Sequence, residues 1–185
     1  RSLWAQSPAS YQPYFGMQKF FPLFGSHTIL NPTLQAAWST RSNANNEDTQ
    51  IRVLGKATQI INPYGSSGLG GLALRGYTGH AFFARSAAVG ALNLRFPVQR
   101  IFRGWGTNPV FFENLYGVSF VEGAYFPGRE PGSGWLPAAG AGLRLNADFF
   151  VRVPLVLAVE YHRGFRSGSG GTSELFMALN LTGLN

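Results

Sequence analysis

Cysteine is absent from the 185 residues. Its absence excludes a disulfide framework, thiol catalysis and any thiolate metal site. Charge is scarce as well: Asp, Glu, Lys and Arg make up 12% of the chain, about half the share usual in a soluble globular protein. A water-facing surface of this size needs more charge, so something other than water is expected to cover much of the outside. Long hydrophobic runs are missing too. A spanning helix needs roughly 20 consecutive apolar residues. The longest comparable run, Val153–Pro154–Leu155–Val156–Leu157–Ala158–Val159, is closed by Arg152 and Glu160. A charge-poor chain without a helical span leaves the closed β-barrel, the other architecture that satisfies every backbone group inside lipid.

What the chain does have fits that expectation. There are 24 glycines and 15% aromatics. Mean hydropathy is -0.01, as expected when lipid-facing and interior-facing residues alternate and cancel. The net charge is +7, but the basic residues are scattered singly, and without a clustered basic footprint no nucleic-acid partner is expected. No signal peptide is visible at Arg1, so the chain reads as a mature product or an excised piece.

Period-two alternation marks the strands. In Val151–Tyr161, the residues Val151, Val153, Leu155, Leu157, Val159 and Tyr161 share one face. Arg152, Glu160 and then His162 lie on the other. Side chains alternate across a strand, so one face is wholly apolar and the other holds every charge. Thr28–Ser39, Ala88–Phe96, Gly140–Asn146 and Glu174–Thr182 repeat the pattern, while Tyr11–Phe21 and Leu115–Phe126 are strand-like with mixed faces. These make about seven strands of the length a tilted membrane strand requires. Trp38, Phe96, Trp105, Tyr125 and Tyr161 fall near strand ends, where an interfacial aromatic girdle would sit.

The connections differ in length, as barrel hairpins do. Phe21–Ser26 and Asp148–Phe150 read as tight turns, whereas the Asn-, Gly- and Ser-rich stretch at about 41–86 is too long to be an idle link. All 185 residues are read as one domain. An odd number of strands cannot close a bacterial single-chain barrel. Either Ser2–Ser10 adds a strand, which would give a self-contained eight-stranded barrel, or strands outside this chain complete it.

Within the long loop, Gly70–Gly71 and Leu74–Arg75–Gly76–Tyr77 resemble the "GG…(L/V)RG(F/Y)" signature of the BamA/TamA-like bacterial surface antigen superfamily. Leu94–Arg95–Phe96–Pro97–Val98, Phe120–Val121–Glu122–Gly123 and Ala139–Gly140–Ala141–Gly142–Leu143–Arg144 resemble three further elements of that superfamily, in its order along the chain. The resemblance runs from about Tyr14 to the C-terminus. It implies the last seven strands of a sixteen-stranded transmembrane barrel in the outer membrane of a Gram-negative bacterium. The sixth extracellular loop would fold inward and place Arg75 against the wall residue Glu122. Gly76, Gly70 and Gly71 would permit the backbone turns, Tyr77 would pack inside, and Leu74, Arg95, Phe120 and Arg144 would support loop and wall. Three positions depart from the family pattern. Glu122 stands for its Asp, Asn93 for its Glu, and the end Leu181–Thr182–Gly183–Leu184–Asn185 lacks a terminal aromatic, Phe176 being the nearest.

The function implied is insertion or translocation of unfolded polypeptide by a barrel set in outer-membrane lipid, including lipopolysaccharide. The partners would be N-terminal barrel strands, and polypeptide or an upstream soluble domain. Two other readings stay open at this point: a barrel that anchors an upstream hydrolase or propeller, and a soluble calycin-like barrel with an apolar interior. No catalytic site, metal or cofactor is expected. His27, His80 and His162 lie in separate segments without metal-ligand spacing, and Tyr64–Gly65–Ser66–Ser67–Gly68 lacks the spacing of a nucleophile elbow.

Overall fold

The structure is a computed structural model that describes residues 11–23, 27–40, 51–55, 71–77, 81–127, 134–150 and 153–181. It is all-β. Eleven strands follow one another: β1 (Tyr14–Gln18), β2 (Phe21–Leu23), β3 (Thr28–Trp38), β4 (Ile51–Gly55), β5 (Gly71–Leu74), β6 (Ala81–Ala84), β7 (Ser86–Gly104), β8 (Val110–Phe126), β9 (Gly134–Phe149), β10 (Val153–Gly164) and β11 (Ser173–Leu181). A 3-10 turn, Ser167–Ser169, lies between β10 and β11.

Eight of these strands form one antiparallel sheet in the order β1-β3-β7-β8-β9-β10-β11, with β2 also on β3. β1 and β2 hold one common register against β3. Gln18 faces Thr33, Lys19 N donates to Pro32 O at 3.2 Å, and Phe21 faces Leu30. They are one strand path broken at Lys19–Phe20, so each of the period-two segments lies on its own path through the sheet. The order is a meander, each path pairing with the next in the sheet. β1 and β2 form one edge and β11 the other, and among the described residues no ladder joins the two.

Alternation gives the sheet two unlike faces. One carries Leu34, Trp38, Leu92, Phe96, Val121, Leu143, Val159, Leu175, Met177 and Leu179, between 38% and 67% exposed. Apart from the irregular end of the β7–β8 hairpin, its charges among the described residues are Lys19 and Arg163, each over an aromatic ring (Phe21 and Phe165). The other face presents Asn31, Asn93, Arg95, Glu122, Arg144, Glu160 and His162.

The long connection between β3 and β7 places its described strands on this polar side. Sequence reading treats it as loop, but it contains β4, β5 and β6, which form a three-stranded sheet with β4 central, parallel to β5 and antiparallel to β6. Backbone groups withdrawn from water need partners, and the segment supplies them from within itself. Val53, Leu72, Leu74 and Tyr77 pack against Ala37, Ala87, Val89, Ala124, Phe126, Leu136 and Ala138 of the large sheet. The wall residues there are mostly small, which brings the two sheets close. The core therefore fills one end of the inner face, and the polar residues occupy the rest.

Candidate functional site: an arginine lock beneath the small sheet

β5 ends at Leu74, and the next three residues make the turn that carries the site. Arg75 is 5% exposed and Glu122, from β8, 3%. Arg75 Nε donates to Glu122 Oε2 at 2.9 Å and Nη2 to the same oxygen at 2.6 Å. The Arg75 backbone N–H donates to Glu122 Oε1. Nη2 also reaches Asn93 Oδ1 on β7 at 2.8 Å, and Asn93 Nδ2 in turn donates to Asn31 O at 3.3 Å. Both carboxylate oxygens are thus engaged by one residue, through its side chain and its main chain. A guanidinium keeps its charge at any physiological pH, so burying it demands this kind of charge-assisted pairing.

The flat face of the guanidinium is covered as well. Arg75 Cζ lies 3.3 Å from the centroid of Phe120, two residues before Glu122 and therefore on the same face of β8. Gly140 makes room for that ring: a Cβ there would sit 2.5 Å from Phe120 carbons.

Gly76 has φ +74, and a Cβ on it would lie 2.5 Å from Gly164 N. Glycine is required for the left-handed turn and for the contact. Tyr77 is fully buried. Its hydroxyl donates to Pro137 O at 2.9 Å, and its ring meets Phe82 edge-on at 6.1 Å. Burial pushes the phenol above its ordinary value, against the smaller opposing pull of the Arg166 backbone N–H and charge.

Two of the residues expected to support loop and wall lie on the wall away from the Arg75–Glu122 pair. Arg95 lies over the Tyr116 ring at 4.8 Å. Arg144 Nε donates to Glu160 Oε1 at 2.6 Å and belongs to a second buried cluster. There Glu160 Oε2 is 3.0 Å from His162 Nε2, and the His162 ring stacks on Phe176 at 6.0 Å and meets Phe120 edge-on at 5.2 Å. Phe120 thus stands between the two clusters. Leu74 is in the core, Gly71 opens β5, and Gly70 lies outside the described residues, as do Ser2–Ser10, Tyr64–Gly68, His80 and Thr182–Asn185.

Sequence reading did not single out the Glu160–His162 pair, although parity put Arg144, Glu160 and His162 on polar faces. Nor did it find Pro137, Gly164 and Thr172, whose contacts to the turn run mainly through backbone atoms, with the Thr172 hydroxyl added at 3.5 Å from Gly76 O. Among the described residues no group of His, Asp and Glu is arranged to hold a metal, and no helix is long and apolar enough to cross a membrane. No protein-family model, curated protein or solved structure matches this chain.

Proposed function

We propose that this chain is the loop-bearing C-terminal part of an outer-membrane β-barrel that inserts or translocates polypeptide, contributing about seven strand paths to the sixteen that the family resemblance implies. The observation that carries the membrane reading is the inverted polarity of the sheet. In a soluble sandwich the second layer covers the apolar face. Here the small sheet packs on apolar residues at one end of the face that carries the polar side chains, while on the opposite face Leu175, Met177 and Leu179 stay 61–67% exposed. A bare apolar face of this extent marks a surface that meets something other than water, and lipid suits it.

Dimensions agree with a bilayer. On β9, Trp135 and Phe149 are exposed and fall near opposite ends of the strand. Their separation is roughly 46 Å along the strand at about 3.3 Å per residue, or roughly 33 Å across the membrane at a tilt of about 45°. A hydrocarbon core is about 30 Å thick. Arg163, beside Phe165 near the end of β10, is suited to the interface, where such a side chain reaches headgroup phosphates.

Among the described residues neither edge of the sheet has a further partner strand, which supports incompleteness. An open edge is not tolerated in lipid, so strands supplied from outside these residues would close the barrel between β11 and β1. A pinned loop on the polar face and an edge able to template a strand suit handling of unfolded polypeptide by strand addition.

Fractionation tests the reading. The full-length protein is expected in the outer membrane, resistant to carbonate extraction and released by detergent. Recovery in the aqueous fraction without detergent would sink the membrane reading. Depletion separates function from anchoring: accumulation of unassembled outer-membrane or secreted polypeptides supports insertion or translocation. Loss from the surface of an upstream domain alone would assign an anchor instead.

A further inference from the structure

We infer that the Arg75–Tyr77 turn is a clasp on the terminal β10–β11 hairpin, with Gly164 and Thr172 as its positioning residues. The inference rests on the barrel reading for its consequence and on contacts alone for its existence.

The lock with Glu122 accounts for one side of the turn. The opposite side is attached to residues 164–172, the connection that joins β10 to β11. Gly76 O accepts from Thr172 N at 3.0 Å and from Thr172 Oγ1 at 3.5 Å. Tyr77 Oη accepts from Arg166 N at 3.4 Å. Pro137 O takes both the Tyr77 hydroxyl at 2.9 Å and Phe165 N at 3.0 Å. One β9 carbonyl therefore ties the turn and the hairpin together.

The contact is also steric. A Cβ on Gly164 would fall 2.3 Å from Gly76 O, and one on Gly76 would fall 2.5 Å from Gly164 N. Gly171 closes the other flank, where a Cβ would be 2.8 Å from Gly164 O. Three glycines meet with no room for a side chain on any of them. Gly164 N donates to Thr172 O at 2.9 Å, so the connection that grips Gly76 is itself closed across its base. The β10–β11 ladder begins at once, at Arg163 opposite Ser173.

Among the described residues β11 is the outermost strand of the sheet and pairs with β10 alone. Its position at this end is thus set from the polar interior, through the turn that Arg75 pins to β8. Displacing Arg75 from Glu122, as a carboxylate-bearing polypeptide in the interior would, frees the connection and loosens the edge strand. The ion pair and the open edge are coupled through Gly76.

Hydrogen exchange by mass spectrometry on the detergent-solubilised full-length protein tests the clasp. In Arg75→Ala, amides of 164–173 are expected to exchange at least ten-fold faster. Those of the β7–β8 turn, 105–110, are expected to be unchanged, and Arg75→Lys should restore part of the protection. In Gly164→Ala, which touches neither Arg75 nor Glu122, the amides of 75–77 are expected to exchange at least ten-fold faster. Unchanged protection of 164–173 in Arg75→Ala overturns the clasp, and so does unchanged protection of 75–77 in Gly164→Ala. Should Arg75→Ala not fold, Gly164→Ala carries the test. A protein that partitions into water would defeat the membrane reading yet still report on the clasp.

Discussion

Arg75 lies flat against Phe120, its guanidinium carbon 3.3 Å from the ring centroid, while His162 meets the same ring edge-on at 5.2 Å. The ring faces a cation with its negative face and holds apart two buried carboxylates, Glu122 and Glu160. Such a contact contributes about 0.5–2 kcal/mol when desolvated. Phe120→Leu is expected to lose that much in urea unfolding, and Phe120→Trp to keep the cation contact where the cavity admits it. A Phe120→Leu midpoint equal to wild type would show that the ring only fills space.

Removing one partner of the lock strands the other. Arg75→Ala leaves Glu122 buried without its cation, at a cost of about 3–5 kcal/mol. Arg75→Lys keeps charge but loses the planar fork and is expected to fall between. Protease resistance of the loop and heat-modifiability on gels report the result. Both variants behaving as wild type would rule out a lock.

The second cluster follows the same logic on the next strands. Arg144 and Glu160 have 11% and 0% exposed side chains, so Arg144→Leu leaves Glu160 with His162 alone. A loss of about 3–5 kcal/mol is expected, with the double variant Arg144→Leu/Glu160→Leu recovering much of it. If the single and double variants lose equally, packing rather than charge governs the site.

On the bare face the prediction depends on the solvent. Leu143 is 49% exposed and lies between Trp135 and Phe149 on β9. In lipid, Leu143→Arg costs about 2–4 kcal/mol near the midplane and is expected to reduce the amount of folded protein in the outer membrane. In water the same change would be neutral or raise solubility. Undiminished assembly of Leu143→Arg argues against lipid contact.

Tyr77→Phe removes the hydroxyl bonded to Pro137 O and is expected to cost about 1 kcal/mol. The neutral phenol is the donor, and burial raises its pKa above the ordinary 10.0. Its stabilisation is therefore complete below pH 10 and is lost as pH rises through the higher native value. Wild type and Tyr77→Phe should converge in stability at strongly alkaline pH. A constant gap between them would mean that the bond is not what Tyr77 contributes.

The strands were legible because their cause is local. Parity along Val153–Tyr161 placed Leu157 and Val159 on one face and Glu160 on the other before any tertiary contact was considered. The geometry brings together Arg75 and Glu122, paired in the sequence reading through family resemblance. Asn93, read there as a departure from the family pattern, is the second acceptor for the guanidinium. The long loop was harder. β4, β5 and β6 are short, and their pairing joins residues such as Val53 and Leu72 across a gap that carries no periodic signal.

Sequence by itself determined the alternation, the poverty of charge and the placing of glycine beside arginine in Arg75–Gly76, because each acts through neighbouring residues or overall composition. Tertiary structure decided which polar residues meet. Whether Arg144 faces Glu122 or Glu160 depends on strand register: Glu122 stands opposite Ala138, and Arg144 opposite Ala158, two residues from Glu160. Tertiary structure also decided that β4, β5 and β6 pack on one end of the polar face and, among the described residues, leave the apolar one bare. A strand pattern specifies two unlike faces, but only the path of the connecting chain selects which of them is covered.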